Sequence, residues 1–100
     1  MAFVSGDLDA TLVAAAGDNL TLRSELRAAF IESIERQIDL LHRSRCDGNW
    51  QVAAMRLKGV AASFHADRLI ELANDALDAA PGDPVCLRRL KQFLAEIDAG

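Results

Sequence analysis

Histidine and cysteine have the widest chemistry of the side chains in this sequence, and there are only two of each. His42 and Cys46 are four residues apart, a spacing that places two ligands on one face of a helix, as part of a metal site requires. Zinc sites use three or four protein ligands, and no second pair accompanies this one. Cys86 is predicted to be a small buried hydrophobe. We therefore expect no metal site and no cofactor.

The sequence contains no arrangement typical of an enzyme active site. It has no glycine-rich loop to cradle a phosphate, no plausible Ser-His-Asp set and no carboxylate pair that stands out from surface charge. The polar residues after position 70 have the spacing of a solvated helix face; they are Glu71, Asn74, Asp75 and Asp78. We therefore expect a protein that is not an enzyme.

The segment from Asn49 to Phe64 has the most informative pattern. At about 100° per residue, its apolar side chains form one stripe around a helix. The stripe consists of Trp50, Ala53, Ala54, Leu57, Val60, Ala61 and Phe64. The opposite face consists of Gln51, Met55, Lys58, Gly59 and Ala62. Outer faces of bundle helices normally carry long charged side chains, so an exposed methionine beside glycine and alanine is unusual.

Gly59 is the residue on this outer face that helix formation does not explain. It lowers helix stability by roughly 1 kcal/mol relative to alanine, but it allows another surface to approach the backbone closely. Lys58 lies beside it and adds a positive edge to the platform around Met55. Such a platform suits a partner with an apolar ridge and an acidic pocket. Single exposed apolar residues are also common on helices, so the pattern alone leaves open that this face binds nothing.

Five amphipathic helices separated by Gly, Pro, Asp and Asn account for the chain. The predicted helices run from about Asp7 to before Gly17, from Leu20 to Arg45, from Asn49 to Phe64, from Ala66 to Ala80, and from Pro84 onward. Asp83 is predicted to cap the last helix, with Pro84 in its first position. The sequence thus predicts one all-α domain over residues 1–100, an antiparallel up-down four-helix bundle with a short N-terminal capping helix.

Helical periodicity also predicts which side chains of the other four helices face the core. The predicted core positions are Leu8, Leu12, Val13, Ala16, Leu22, Leu26, Ala29, Phe30, Ile34, Ile38, Leu40, Leu41, Leu69, Ile70, Ala73, Ala76, Leu77, Ala80, Leu87, Leu90, Phe93, Leu94 and Ile97.

Composition and charge argue against certain partners and cellular locations. Eleven basic and fifteen acidic residues give a formal charge of −4, which disfavours nucleic-acid binding. No apolar run approaches the ~20 residues needed to span a bilayer. The N-terminus lacks the pattern of a signal peptide, and two cysteines are too few for a disulfide framework. We expect a cytoplasmic protein that binds neither nucleic acid nor membranes.

The run Met55-Arg56-Leu57-Lys58-Gly59, followed by Phe64-His65-Ala66, resembles the signature of histidine phosphotransfer (HPt) domains of two-component phosphorelays. That signature reads His-x-Leu-Lys-Gly and, six residues on, Gly-Ala. Two positions depart from it, since Met55 stands where the family has its phosphorylated histidine and His65 where it usually has glycine. The resemblance covers essentially the whole chain, including Asp7 to Asp18, Phe30, Asp47 to Trp50 and Arg68 to Ala73.

The resemblance implies a four-helix bundle with an N-terminal cap, in which Lys58 lies beside the phosphoryl group and Gly59 leaves room for a receiver domain. A thioether cannot accept a phosphoryl group as an imidazole does. We therefore expect a module that binds response-regulator receiver domains or histidine kinases without relaying phosphate through position 55. The expected partner-binding residues are Gln51, Met55, Arg56, Lys58, Gly59 and Ala62.

Two alternatives stay open at this point. The chain can be an active phosphotransfer protein that uses His65 or His42, or a helical scaffold or dimerisation module. His65 is predicted at the end of the third helix or in the following turn, where left-handed geometry is possible. His42 is predicted near the C-terminus of the second helix, where an imidazole interacts favourably with the helix dipole. The oligomeric state is not predicted.

Overall fold

A computed structural model describes the backbone of residues 2–99 and the side chains of residues 8–98. Its five helices are α1 (Ala2–Ala16), α2 (Leu20–Arg43), α3 (Asp47–Ser63), α4 (Asp67–Asp78) and α5 (Pro84–Ala99). No strand occurs in the part of the chain described. The prediction of an all-α protein is therefore confirmed. Within the same residues, no helix is both long and apolar enough to cross a membrane.

The differences from the predicted helix bounds lie at helix ends. Helix α1 begins at Ala2 rather than near Asp7, so it is not the short helix expected, because one glycine inside a helix costs only about 1 kcal/mol. Helix α2 ends two residues early, where Ser44 is extended. The Ser44 amide donates to the Leu41 carbonyl at 3.1 Å, and the Ser44 hydroxyl donates to the Leu40 carbonyl at 2.6 Å. These bonds end the helix there.

Helices α2 to α5 contact one another in a closed ring. Helix α2 contacts α3 and α5, and α4 contacts the same two helices. Helix α1 packs on α2 and α4. The arrangement is compact, with a radius of gyration of 13.6 Å, close to the ~13 Å expected of a folded chain of this length.

Two side chains tie α3 into the core. The indole Nε1 of Trp50, a fully buried residue, donates to the carbonyl of Ala76 on α4 at 2.6 Å. At the other end of α3, the Phe64 ring lies 4.5 Å from the Phe30 ring of α2, centroid to centroid. The buried and hydrogen-bonded indole, together with the contact between the two phenyl rings, fixes the rotation of α3 about its axis.

Most predicted core positions are buried or partly buried, and four are exposed. The exposed ones are Val13, Leu22, Ala29 and Ala80. Arg27 of α2 donates a hydrogen bond to the carbonyl of Ile97, close to the end of α5. Leu22 lies more than one turn before Arg27, so α5 ends before it can cover Leu22. Leu72 is buried although it was not predicted, because α4 is covered by α1, α3 and α5.

Candidate functional site on the outer face of helix α3

The sequence of α3 fixes which of its faces is exposed. Five of its residues are buried at helical spacing, namely Trp50, Ala53, Ala54, Leu57 and Ala61. The helix has an extended N-cap residue, Cys46, and an acidic residue, Asp47, in its first turn, where a negative charge is favourable. With this side buried against α2 and α4, the opposite side points away from the rest of the molecule.

Met55 lies at the centre of that exposed side, with 55% of its surface accessible. Gln51, Arg56, Gly59 and Ala62 are exposed as well. The predicted direction of Met55, away from the core, is therefore confirmed. Whether these residues bind a partner stays a prediction.

Gly59 is not required by the fold. A Cβ atom added to it would meet nothing within 4 Å, and its backbone does not have a positive φ. Neither close helix packing nor a left-handed conformation therefore calls for glycine here. The absence of a side chain exposes the backbone of this one residue next to Met55, with its carbonyl accepting a hydrogen bond from the Ser63 hydroxyl at 3.0 Å.

Val52 belongs to the same surface, although sequence reasoning did not select it. It is 49% exposed and precedes Met55 by three residues, which places both side chains on one face. Exposed residues at spacings of three, four and three form what we call the apolar strip: Val52, Met55, Gly59 and Ala62. The same helical projection that placed Ala62 opposite Leu57 also places Val52 there, so the signal was present in the sequence.

Cations border the apolar strip on both sides. Arg56 is exposed and lies beside α2 residues, whereas Lys58, at the opposite edge of the strip, is only partly exposed. At about 100° from Leu57, Lys58 occupies an edge position of the helix, and its partial exposure agrees with the positive edge expected there. Within residues 8–98 neither cation forms an ion pair. Both charges are therefore available to an acidic partner.

A groove between the end of α2 and the start of α3 extends this surface. Its volume is about 400 Å³, and its lining includes Leu40, Arg43, Ser44, Asn49, Val52 and Arg56. Arg43 in this lining is already paired with Asp39 at 2.9 Å. Arg56 and Lys58 are therefore the cations that give the edges of the apolar strip their positive charge.

Neither histidine reaches the apolar strip. His65 is exposed in the turn between α3 and α4 with φ +55°, so the predicted left-handed geometry is confirmed. From Met55 the helix continues for eight residues to Ser63, about 12 Å along the axis, and His65 follows two residues later. His42 is exposed in the last turn of α2 and lines a groove with α5. The structure therefore places both outside the face that contains Met55.

The suggested metal-ligand pair is not formed on one helix. His42 lies in α2, but Cys46 follows the end of that helix and is the exposed N-cap residue of α3. In the part of the chain described, no group of three or more His, Cys, Asp or Glu side chains can hold a metal ion.

Cys86 is buried, as predicted. Burial raises the pKa of its thiol to about 11, and hydrogen bonding to Asp83 acts in the same direction. A thiol with such a high pKa is protonated at neutral pH and is a poor nucleophile. Cys86 therefore has a packing role at the start of α5.

No protein-family model matches the chain, and no curated protein and no solved structure matches it significantly.

Proposed function

We propose that this chain is an HPt-like four-helix bundle that binds receiver or histidine-kinase domains of two-component systems and does not relay phosphate through position 55. The binding surface is the apolar strip together with Arg56, Lys58 and Gln51. The observation that carries the proposal is the exposed Met55, at the centre of a flat apolar surface with unpaired cations at its edges.

Two hydrogen bonds support an up-down arrangement of α2 to α5. Trp50, near the start of α3, bonds to Ala76, near the end of α4. Arg27, in the first half of α2, bonds to Ile97, near the end of α5. Each bond joins an early part of one helix to a late part of its neighbour, as antiparallel packing requires. With the closed ring of contacts, they support an antiparallel four-helix bundle.

The chemistry of the surface supports binding without catalysis. A receiver domain presents an acidic phosphorylation pocket beside an apolar helix. Arg56 and Lys58 complement the acidic pocket, and the apolar strip complements the helix, since Gly59 allows close approach. The thioether of Met55 adds adaptable apolar contacts but has no nitrogen to accept a phosphoryl group.

The first experiment is an NMR titration of the labelled chain with receiver and histidine-kinase domains. We expect shifts of the amides on the outer face of α3 and little change on α5. The informative variant is Gly59→Gln, because Gly59 is exposed and a Cβ atom there meets nothing within 4 Å, so the longer side chain should block the surface without disturbing the core. Ala95→Gln, also at an exposed position in a helix, is the matched control.

Binding that survives Gly59→Gln would show that the surface lies elsewhere. Absence of binding to every such domain would favour the scaffold or dimerisation alternative.

The second experiment tests the missing phosphoacceptor. Phosphorylated receiver domain is incubated with the chain and with Met55→His, and acid-labile phosphate on the chain is measured. We expect no acid-labile phosphate on the original chain. We expect such phosphate on Met55→His, because the new imidazole would lie beside Lys58 and Gly59. Label on the original chain that disappears in His65→Ala or His42→Ala would overturn the proposal.

A further inference from the structure

A second groove lies on the other side of α2, where the last turn of this helix meets the start of α5. Its volume is about 460 Å³, and its lining comprises His42, Gly82, Pro84, Leu87, Arg88 and Lys91. This volume falls within the range of small-molecule sites in proteins, about 300–1,000 Å³. The groove shares no residue with the apolar strip or with the groove beside α3.

The floor of this groove is apolar and its walls are well fixed. Leu87 is 9% exposed and therefore packed into the core, and Pro84 occupies the first position of α5. Asp83 caps the helix by accepting a hydrogen bond from the Cys86 amide at 3.1 Å. Gly82 forms the preceding turn with φ +81°, a conformation that favours glycine. These local constraints fix the backbone at the start of α5, which forms one wall of the groove.

The polar groups that face the groove are basic. Arg88 and Lys91 lie one turn apart on α5, and the His42 imidazole comes from α2. None of them forms an ion pair with a side chain in residues 8–98. Two acids lie near the groove: the Asp83 carboxylate accepts the bond from the Cys86 amide and also interacts electrostatically with Arg88, whereas Asp39 pairs with Arg43 at 2.9 Å. The lining itself contains no acidic residue.

We propose that this groove binds a small amphipathic anion, a carboxylate on a short apolar chain. The apolar chain would lie on Leu87 and Pro84, and the carboxylate would interact with Arg88 and Lys91. The α5 wall spans eight residues, from Pro84 to Lys91, which is about 10 Å of helix. That length suits a short acyl chain better than a helical peptide of a partner protein.

This inference does not depend on the proposed function, because the two surfaces lie on different faces of the molecule. Its test uses sodium octanoate as the probe, with binding measured by calorimetry and located by NMR amide shifts. We expect a dissociation constant in the millimolar range and shifts at Gly82, Leu87, Arg88 and Lys91. Neutral 1-octanol and cationic octyltrimethylammonium should bind at least about fivefold more weakly, because they lack the charge that the groove complements.

The variant that tests the charges is Arg88→Gln with Lys91→Gln. Both side chains are exposed, so the fold should be retained, which circular dichroism verifies. We expect octanoate affinity to fall about fivefold or more. The matched control is Arg36→Gln with Arg45→Gln, which removes two exposed cations outside the groove and should leave affinity unchanged. Equal losses in both variants would indicate only a general charge effect and overturn the proposal.

Three further results would also overturn it. These are equal binding of octanol and octanoate, amide shifts located elsewhere on the chain, and binding of an acidic helical peptide at this groove without binding of octanoate.

Discussion

The outer faces of α2 and α3 differ although both helices belong to the same ring. The exposed charged residues of α2 are Glu25, Glu32, Glu35, Arg36, Asp39 and Arg43. Two pairs of them are bonded one turn apart, Arg36 to Glu32 at 3.4 Å and Arg43 to Asp39 at 2.9 Å. The outer face of α3 instead has the apolar strip, and its two cations form no ion pair with the described residues.

The two faces show how a surface that is solvated by water differs from one that is suited to contact with a partner. On α2 the charges are partly neutralised within the helix, and water solvates the rest. On α3 a glycine that no packing or backbone conformation requires adjoins an exposed methionine and an exposed valine. Covering such an apolar face with another surface lowers the free energy of the system. Covering the charged face of α2 would instead cost free energy, because its charged groups would lose their hydration.

The largest expected effect separates the inner and outer faces of α3. Leu57 is fully buried, and Met55, two residues away, is largely exposed. Leu57→Ala should lower the free energy of unfolding by about 3–5 kcal/mol, because it leaves a cavity. Met55→Ala should change it by less than about 0.5 kcal/mol. Urea denaturation measures both, and comparable losses would mean that Met55 packs in the core.

A substitution at the start of α5, outside the outer faces of α2 and α3, should have an effect on stability of intermediate size. Asp83→Ala removes the cap of α5 and should lower the melting temperature by several degrees. The hydrogen bonds from Cys86 lower the pKa of this carboxyl. Its contribution is therefore present above the ordinary pKa of aspartate and is lost as the pH falls through the lowered value, below about 4.

Melting curves of the original chain and Asp83→Ala should therefore converge at low pH. A difference that persists undiminished in acid would show that the carboxylate is not the source of the effect.

Substitution by alanine should change the free energy of unfolding in opposite directions at Gly59, on the outer face of α3, and at Gly17, in the turn before α2. Gly59→Ala should raise the free energy of unfolding by up to about 1 kcal/mol, because the added methyl group meets no atom and alanine favours the helix. Gly17 has φ +59°, so Gly17→Ala should lower it by about 1 kcal/mol. Chemical denaturation of both variants tests this. Destabilisation by Gly59→Ala would mean that the glycine serves the fold rather than a partner.

The helices and most of the core could be predicted because breakers and periodicity are local signals. The start of α1 could not, since a single glycine such as Gly6 costs too little to stop a helix. The exposure of Leu22 depends on where α5 ends, and the burial of Leu72 depends on three neighbouring helices. The outer face of α3 and the edge position of Lys58 follow from the register of one helix, whereas the two grooves depend on how helices pack.

The smallest expected effect concerns the outer face of α2. Glu32→Gln removes the acidic partner of Arg36, but both side chains are more than half exposed. We expect a loss of unfolding free energy of no more than about 0.5 kcal/mol, because solvent and salt screen exposed ion pairs. The loss should shrink further in high salt, and receiver binding should not change. A larger loss of stability would mean that the ion pair on α2 contributes to the fold. A loss of receiver binding would mean that the outer face of α2 also takes part in binding, so that the two faces do not differ in function.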